Sequence, residues 1–242
     1  MLKLGFLVYG KMGKAIETLA PQYDVEIAWR ISRRNLADRE PELLRRADVV
    51  IEFSRPEAAL ENVMACLKAG VPVVSGTTGW IHDLPEAEKA CTALNGAMIW
   101  ASNFSIGVNL FFAVNRKLSE LMSLRPEYTP AITEIHHIHK LDAPSGTAIS
   151  LAQDLERYSG RFEGHYLDTN PPGVIEKKFP ITAIREGEIP GTHIVRWSGE
   201  ADEISIGHKA FSRTGFAGGA LVAAKWLHGK TGIFSMSDVL GI

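Results

Sequence analysis

Cysteine is almost absent from this sequence: Cys66 and Cys91 are the only two in 242 residues. Both fall in helix-like segments, which argues against a disulfide framework or a thiolate metal centre and leaves two inert, reduced thiols. An excess of charge of either sign is also missing. Lys and Arg number 26 against 28 Asp and Glu, a net charge of -2, so there is no electrostatic reason to expect a nucleic-acid partner. No apolar run is long enough to span a bilayer. The opening "MLKLGFLVYG" passes straight into "KMGK" without a small-residue cleavage site, and reads as a first strand rather than a signal peptide. Internal repeats and low-complexity segments are lacking too. The chain reads as cytoplasmic, with neither a membrane nor a nucleic acid to bind.

What is present is an ordinary core composition, 45% hydrophobic, in a chain long for one domain and comfortable for two. Strand-like and helix-like segments alternate through the first hundred residues. Strands are expected at 2–9, 25–31, 48–53, 71–76 and 96–102, and helices after Gly13 to about Ala20, from Pro41, over Pro56–Ala69 and from Leu84 to Leu94. Such alternation with short connections implies a parallel sheet covered on both faces. The rhythm then changes. A long helix (105–122), a strand "AITEIHHIH" (131–139), a helix (147–158) and an irregular "DTNPPG" loop (168–173) precede three strands, "FPITAIRE", "THIVRWSG" and "DEISIGHKAF". These predict an antiparallel or mixed sheet. A helix rich in small residues, 215–228, closes the pattern and is expected to return to the first domain. The fold class is therefore α/β: a Rossmann-like parallel-sheet domain plus an α+β domain with a mixed sheet.

Gly10-Lys11-Met12-Gly13 lies between the first strand and first helix, where glycine lets the backbone approach a pyrophosphate at a helix N-terminus. The full fingerprint has another glycine two or three residues earlier. Here those positions are Val8 and Leu7, and Gly5 is too early to serve. The motif alone is equally compatible with a plain glycine turn. At the end of the second strand, an NAD site normally carries an acid for the ribose hydroxyls. This chain has Ser32-Arg33-Arg34 there, a hydroxyl and two guanidinium groups that suit a 2′-phosphate, or that make a solvated basic turn. "SGTTGW" (75–80) and "ASNFSIG" (101–107) follow the fourth and fifth strands, at the end of a parallel sheet where ligands bind.

The densest chemistry is "EIHHIHKLDAPSGTA" (134–148). In a strand His137 and His139 share one face and His136 the other, so three ligands cannot converge on a metal, and Lys140 would repel a cation. Metal is the least favoured reading. A set of surface and core-edge histidines is the bland one. A third reading uses more of the residues. Ser145-Gly146-Thr147 precedes a helix, and its hydroxyls and free N–H groups make an anion site. Lys140 and the histidines stand close by as proton donors. Beside a nicotinamide cofactor, this set suggests reduction of a C=C or C=N bond.

At this point the stretch resembles the signature of the dihydrodipicolinate reductase family (4-hydroxy-tetrahydrodipicolinate reductases), enzymes of lysine and diaminopimelate biosynthesis. "YGKMGK", "FSRPEA", "GTTGW", "ASNFSIGVN" and the ending "HKAFSRTGFAGGALVAAKWLHGKTGIFSMSDVL" are similar to that family's other blocks, in the same order. The resemblance implies a dinucleotide-binding domain (1–104 with 213–242) and a substrate-binding and tetramerisation domain (105–212). It implies a homotetramer, NADPH (preferred) or NADH as cofactor, and a small cyclic dicarboxylate substrate that loses water as it is reduced. It also implies roles. His136 and Lys140 match the catalytic positions, and His137, Ser145, Gly146 and Thr147 the substrate-binding ones. The cofactor segments are Tyr9, Gly10, Lys11 and Met12; Ser32, Arg33 and Arg34; Gly76, Thr77 and Thr78; and Ala101, Ser102, Asn103 and Phe104. No metal is implied. Two other readings stay open: another two-domain nicotinamide dehydrogenase acting on a small carboxylic acid, and a non-catalytic nucleotide sensor.

Overall fold

A computed structural model describes residues 1–32, 39–168, 175–212 and 214–242. In chain order the elements are β1 (Leu2–Leu7), α1 (Lys11–Leu19), β2 (Val25–Ile31), α2 (Pro41–Leu44), β3 (Val49–Glu52), α3 (Pro56–Ala69), β4 (Val73–Ser75), α4 (Leu84–Ala93) and β5 (Ala97–Trp100). There follow α5 (Ile106–Met122), β6 (Thr129–His136), α6 (Gly146–Ser159), β7 (Gly164–Leu167), β8 (Lys178–Arg185), β9 (Thr192–Ser198) and β10 (Glu203–Lys209). The chain ends with α7 (Thr214–Leu227), β11 (Gly232–Phe234) and α8 (Met236–Leu240). A short 3-10 turn at Ala20–Tyr23 links α1 to β2. Two compact units result: Met1–Ile106 with Thr214–Ile242, and Gly107–Arg213.

The first unit is a six-stranded sheet in the order β11-β5-β4-β3-β1-β2, and every neighbouring pair is parallel. Side chains alternate across it. Leu4, Phe6, Val49, Ile51, Val74 and Ile99 pack with α1, α7 and α8 on one face; Leu7, Val50, Val73 and Met98 pack with α3 and α4 on the other. Cys66 and Cys91 are buried and free in that second layer, and burial pushes both thiols up. Gly5 has a packing reason: a Cβ there would lie 2.1 Å from the Trp29 ring. On α7, Gly219 lets the helix approach the 104–106 segment so closely that a Cβ would stand 1.7 Å from the Phe104 carbonyl oxygen. The chain moves from β1 outward to β2, then crosses to β3 on the other side of β1. The carboxyl ends of β1 and β3 therefore flank a topological switch point, the usual ligand crevice of such sheets.

The second unit has a five-stranded mixed sheet in the order β10-β9-β6-β8-β7. β6 runs parallel to β8 and antiparallel to β9. Ile132, Phe179, Ile181, Val195 and Trp197 on its buried face pack against Ala148, Leu151, Ala152 and Leu155 of α6 and Phe111 of α5. β6 ends at His136 and not at residue 139. The amides of His137 and Ile138 turn away to the carbonyls of Ile189 and Gly187, at 2.9 and 3.1 Å, so the last histidines lie in a turn. The short strands β7 and β11 and the helix α8 have no counterpart in the sequence reading. No described helix is long and apolar enough to cross a membrane.

Candidate active site

In the first unit, Gly10 is the N-cap of α1 and supplies no capping side chain, so the first N–H groups of the helix stay available to a ligand. A Cβ at Gly10 would meet nothing within 4 Å, so the glycine leaves open space rather than room for a protein neighbour. A cavity of about 800 Å³ opens here, lined by Val8, Tyr9, Gly10, Lys11, Met12, Lys14, Ser32 and Phe53. Among the described residues its lining holds two ammonium groups and no acid. Nearby Glu17 is taken by the Tyr9 hydroxyl and by Arg30, whose guanidinium also lies 5.7 Å from the centre of the Tyr9 ring. Arg33 and Arg34 lie outside the described residues.

The loops after β3 and β4 are tied together by Glu52, which is fully buried. It accepts hydrogen bonds from Ser75 Oγ (2.7 Å), Thr77 Oγ1 (2.8 Å), the Ser54 N–H (3.0 Å) and Asn62 Nδ2 (3.4 Å). Burial raises its carboxyl despite these four donors. Thr77 is consumed by this network, because its carbonyl also accepts from the indoles of Trp80 and Trp100 at 2.8 and 2.9 Å. Of Gly76, Thr77 and Thr78, only Thr78 is exposed. Gly76 is glycine because a Cβ would strike the Phe53 ring at 2.0 Å. Phe53 in turn meets Phe104 edge-on at 5.9 Å, and Phe104 is a core residue. Ala101 is half-buried and Ser102 exposed, while Asn103 Oδ1 accepts the Ser105 N–H at 2.9 Å. Among the described cofactor candidates, Thr77 and Phe104 thus shape loops from within, while Gly10, Lys11, Ser102 and Thr78 present themselves to solvent.

In the second unit, period-2 alternation puts Glu134 and His136 on the buried face of β6. Register then brings His193 of β9 opposite Glu134 and Arg185 of β8 opposite His136. The rings of His136 and His193 meet edge-on at 5.0 Å. Glu134 Oε1 accepts from Arg185 Nη2 (2.8 Å) and from the Ser145 N–H (3.2 Å), and its Oε2 lies against Nδ1 of His136. Burial would raise the Glu134 carboxyl, but His136 and Arg185 outweigh it and hold it at about 2. Ser145 caps α6: its Oγ accepts the Ala148 N–H at 3.2 Å and meets His193 Nε2 at 3.1 Å. That leaves the N–H groups of Gly146 and Thr147 without intrahelical partners, and a Cβ on Gly146 would project into open space. The Lys140 ammonium sits 2.7 Å from both Asp142 oxygens. His137 is half-buried in the turn, and His139 pairs with Glu188 at 3.2 Å on the exposed side.

Glu134, His136 and His193 present ligand atoms within 4.8 Å of one another. The Arg185 guanidinium on the same carboxylate already balances its charge and would repel a divalent ion, and Oε2 is already engaged by His136. The cluster reads as a proton and positioning network.

Family models for the N-terminus and the C-terminus of dihydrodipicolinate reductase match residues 8–104 and 107–240. The chain belongs to the dihydrodipicolinate reductase family. It is 45% identical to the 4-hydroxy-tetrahydrodipicolinate reductase of Christiangramia forsetii, over 99% of this chain and 98% of that one. With the enzyme of the same name from Thiobacillus denitrificans it shares 37% identity over 98% and 90%. Among solved structures, a dipicolinate-bound dihydrodipicolinate reductase from Paenisporosarcina sp. TG-14 has the same fold, with TM-score 0.77, 22% identity and 97% of each chain covered. An amine dehydrogenase from Mycobacterium smegmatis matches more loosely, with TM-score 0.61, 11% identity and 97% and 95% covered. Membership makes the chain an NAD(P)H-dependent oxidoreductase with a nicotinamide cofactor, and neither alternative reading is favoured.

Glu52, Glu134, Arg185 and His193 escaped the sequence reading. Each sits in a strand and is indistinguishable there from an ordinary strand residue; only register and burial single it out. His193 carries a stability prediction. Burial first, and then the neighbouring His136, lowers its imidazole to about 4. The unfolded imidazole titrates near 6.5, so between these values the unfolded chain binds more protons and stability rises with pH. Unfolding free energy is expected to be fully present above pH 6.5 and to fall by about 3 kcal/mol as the pH drops through 4. Denaturant titrations at pH 7.5 and 4.5 check this. A His193→Asn variant with an equally steep loss would disprove the assignment.

Proposed function

We propose that this chain reduces 4-hydroxy-tetrahydrodipicolinate to tetrahydrodipicolinate with loss of water, in lysine and diaminopimelate biosynthesis. Residues 1–104 with 213–242 bind the dinucleotide, and 105–212 bind substrate and build a cytoplasmic homotetramer through the mixed sheet. The observation that carries the reading is the N-terminus of α6, where the Ser145 cap leaves the Gly146 and Thr147 N–H groups without intrahelical partners, close to His136. A substrate carboxylate sits on the N–H groups of Gly146 and Thr147 and on the Ser145 and Thr147 hydroxyls, with His137 beside it. The bound cofactor supplies the hydride to the ring carbon. His136 and Lys140 handle protons: loss of water takes one proton from the ring carbon and places one on the departing hydroxyl, and reduction delivers one to the ring, so substrate, reduced cofactor and one proton give product, oxidised cofactor and water. Loss of NAD(P)H absorbance in the presence of the coupled synthase product tests the activity directly; no cofactor consumption with either nucleotide would overturn it.

The cofactor is NADPH in preference to NADH. The support is Ser32 in place of an acid, with Lys11 and Lys14 lining the same cavity and Arg33 and Arg34 following in sequence. Each well-placed charge-assisted contact to a 2′-phosphate contributes roughly 1.5–3 kcal/mol, enough for a tenfold preference. A Ser32→Glu, Arg33→Ala double variant is expected to move the kcat/KM ratio at least about tenfold towards NADH. An unchanged ratio would place discrimination elsewhere. The missing first glycine affects the pyrophosphate common to both nucleotides and is expected to leave that ratio alone.

A further inference from the structure

The buried carboxylate of Glu134 has no role in the chemistry described so far, yet it touches three parts of the proposed site. Through Oε2 it meets His136 Nδ1; through Oε1 it takes the Ser145 N–H at the head of the anion turn. The third contact is indirect. Arg185, paired to Glu134 at 2.8 Å, donates to the backbone carbonyls of Lys140 (3.2 Å) and Asp142 (2.5 Å), and so holds the loop that carries the lysine. A carboxylate that accepts and cannot donate dictates the state of its imidazole partner: Nδ1 must carry the proton. His136 is then left with Nε2 as the nitrogen that exchanges a proton. Nε2 faces Gly191, where a Cβ would stand only 3.1 Å away, so the glycine keeps that nitrogen uncrowded.

We infer that Glu134 is a positioning residue: it fixes His136 in the Nδ1–H tautomer with Nε2 free for proton transfer, and with Arg185 it locks the His136, Lys140 and Ser145 segments into one frame. A purely electrostatic plug for Arg185 would predict no dependence on His136. The inference rests on the reading of His136 as a proton-transfer group, so the test must separate the two.

A cycle of Glu134→Gln, His136→Ala and the double variant does so, read as kcat and as KM for NADPH. Glu134→Gln is expected to lower kcat roughly 10²-fold while leaving KM for NADPH within about twofold, because a glutamine amide no longer enforces one tautomer. In the His136→Ala background the same change is expected to cost nothing further. Near-wild-type kcat in Glu134→Gln alongside a crippled His136→Ala, or effects that multiply in the double variant, would overturn the inference. Should Glu134→Gln fail to fold, Glu134→Asp enters the same cycle, with the same non-additivity expected. The 15N spectrum of His136 gives an independent reading. Wild type is expected to show the Nδ1-protonated tautomer and Glu134→Gln to lose it, even if His136→Ala proves active and the catalytic reading falls. An Nε2-protonated ring in wild type would overturn the inference outright.

Discussion

Lys140→Ala and His136→Ala are each expected to lower kcat by about 10²- to 10⁴-fold, the loss typical of a positioned general acid. That range corresponds to about 3–5 kcal/mol of transition-state stabilisation. The structural cost should be small for the lysine. Its partner Asp142 is exposed, so removing the ammonium strands no buried charge. His136 is more enclosed, but Glu134 keeps its Arg185 and Ser145 contacts when the imidazole is removed. Both variants are therefore expected to unfold at near-normal denaturant concentrations and to bind NADPH normally, since the nucleotide cavity is formed by the other unit. Steady-state turnover, with cofactor titration as the control, checks this. Near-wild-type turnover in both variants would remove the proton-supplying assignment.

The local signals that were legible in the sequence are those with a one-residue mechanism. Helix α3 runs over Pro56–Ala69, the range its pattern predicts, because Pro56 fits the first helical position and Gly70 ends the helix in a left-handed conformation. The start of α6 after Ser145 is legible too, although the sequence points its hydroxyl at an anion, whereas in the fold Ser145 Oγ also accepts the Ala148 N–H. Strand ends are harder. "EIHHIH" continues a strand-like composition past His136, and what stops β6 is the pull of two distant carbonyls, Gly187 and Ile189, which no local pattern announces. The polar cluster is harder still. Glu134 becomes neighbour to Arg185 and His193 only through the registers β6–β8 and β6–β9, which bring together residues 51 and 59 positions apart in sequence. Glu52 is likewise hidden in "DVVIEF", where it reads as the polar end of a strand. In the fold it gathers Ser54, Ser75 and Thr77 beneath loops proposed to hold the cofactor. Thus the residues proposed to touch ligand were legible as motifs, whereas those that hold them were not.

Gly146 offers a test in which stability and binding move in opposite directions. It is the first residue of α6, the first turn carries no acid, and a Cβ there would meet nothing within 4 Å. Gly146→Asp should therefore fit. A carboxylate at a helix N-terminus is favourable by about 0.3–1 kcal/mol, so the variant is expected to be as stable as wild type or slightly more so. For a dicarboxylate substrate the same change is adverse twice over. The new carboxylate competes for the N–H groups of Gly146 and Thr147, and its charge repels the incoming anion. Loss of two charge-assisted contacts amounts to roughly 3 kcal/mol or more, so KM for the substrate is expected to rise by at least about 10²-fold. KM for NADPH should stay within about twofold. Gly146→Asn, of similar size but neutral, separates charge from bulk and is expected to retain much more of the substrate affinity. Measured together, substrate KM and thermal midpoint decide the matter. A destabilised Gly146→Asp variant would mean that the glycine serves packing. A stable one with unchanged substrate KM would mean that the carboxylate binds elsewhere, and the bare head of α6 would then be only a helix start.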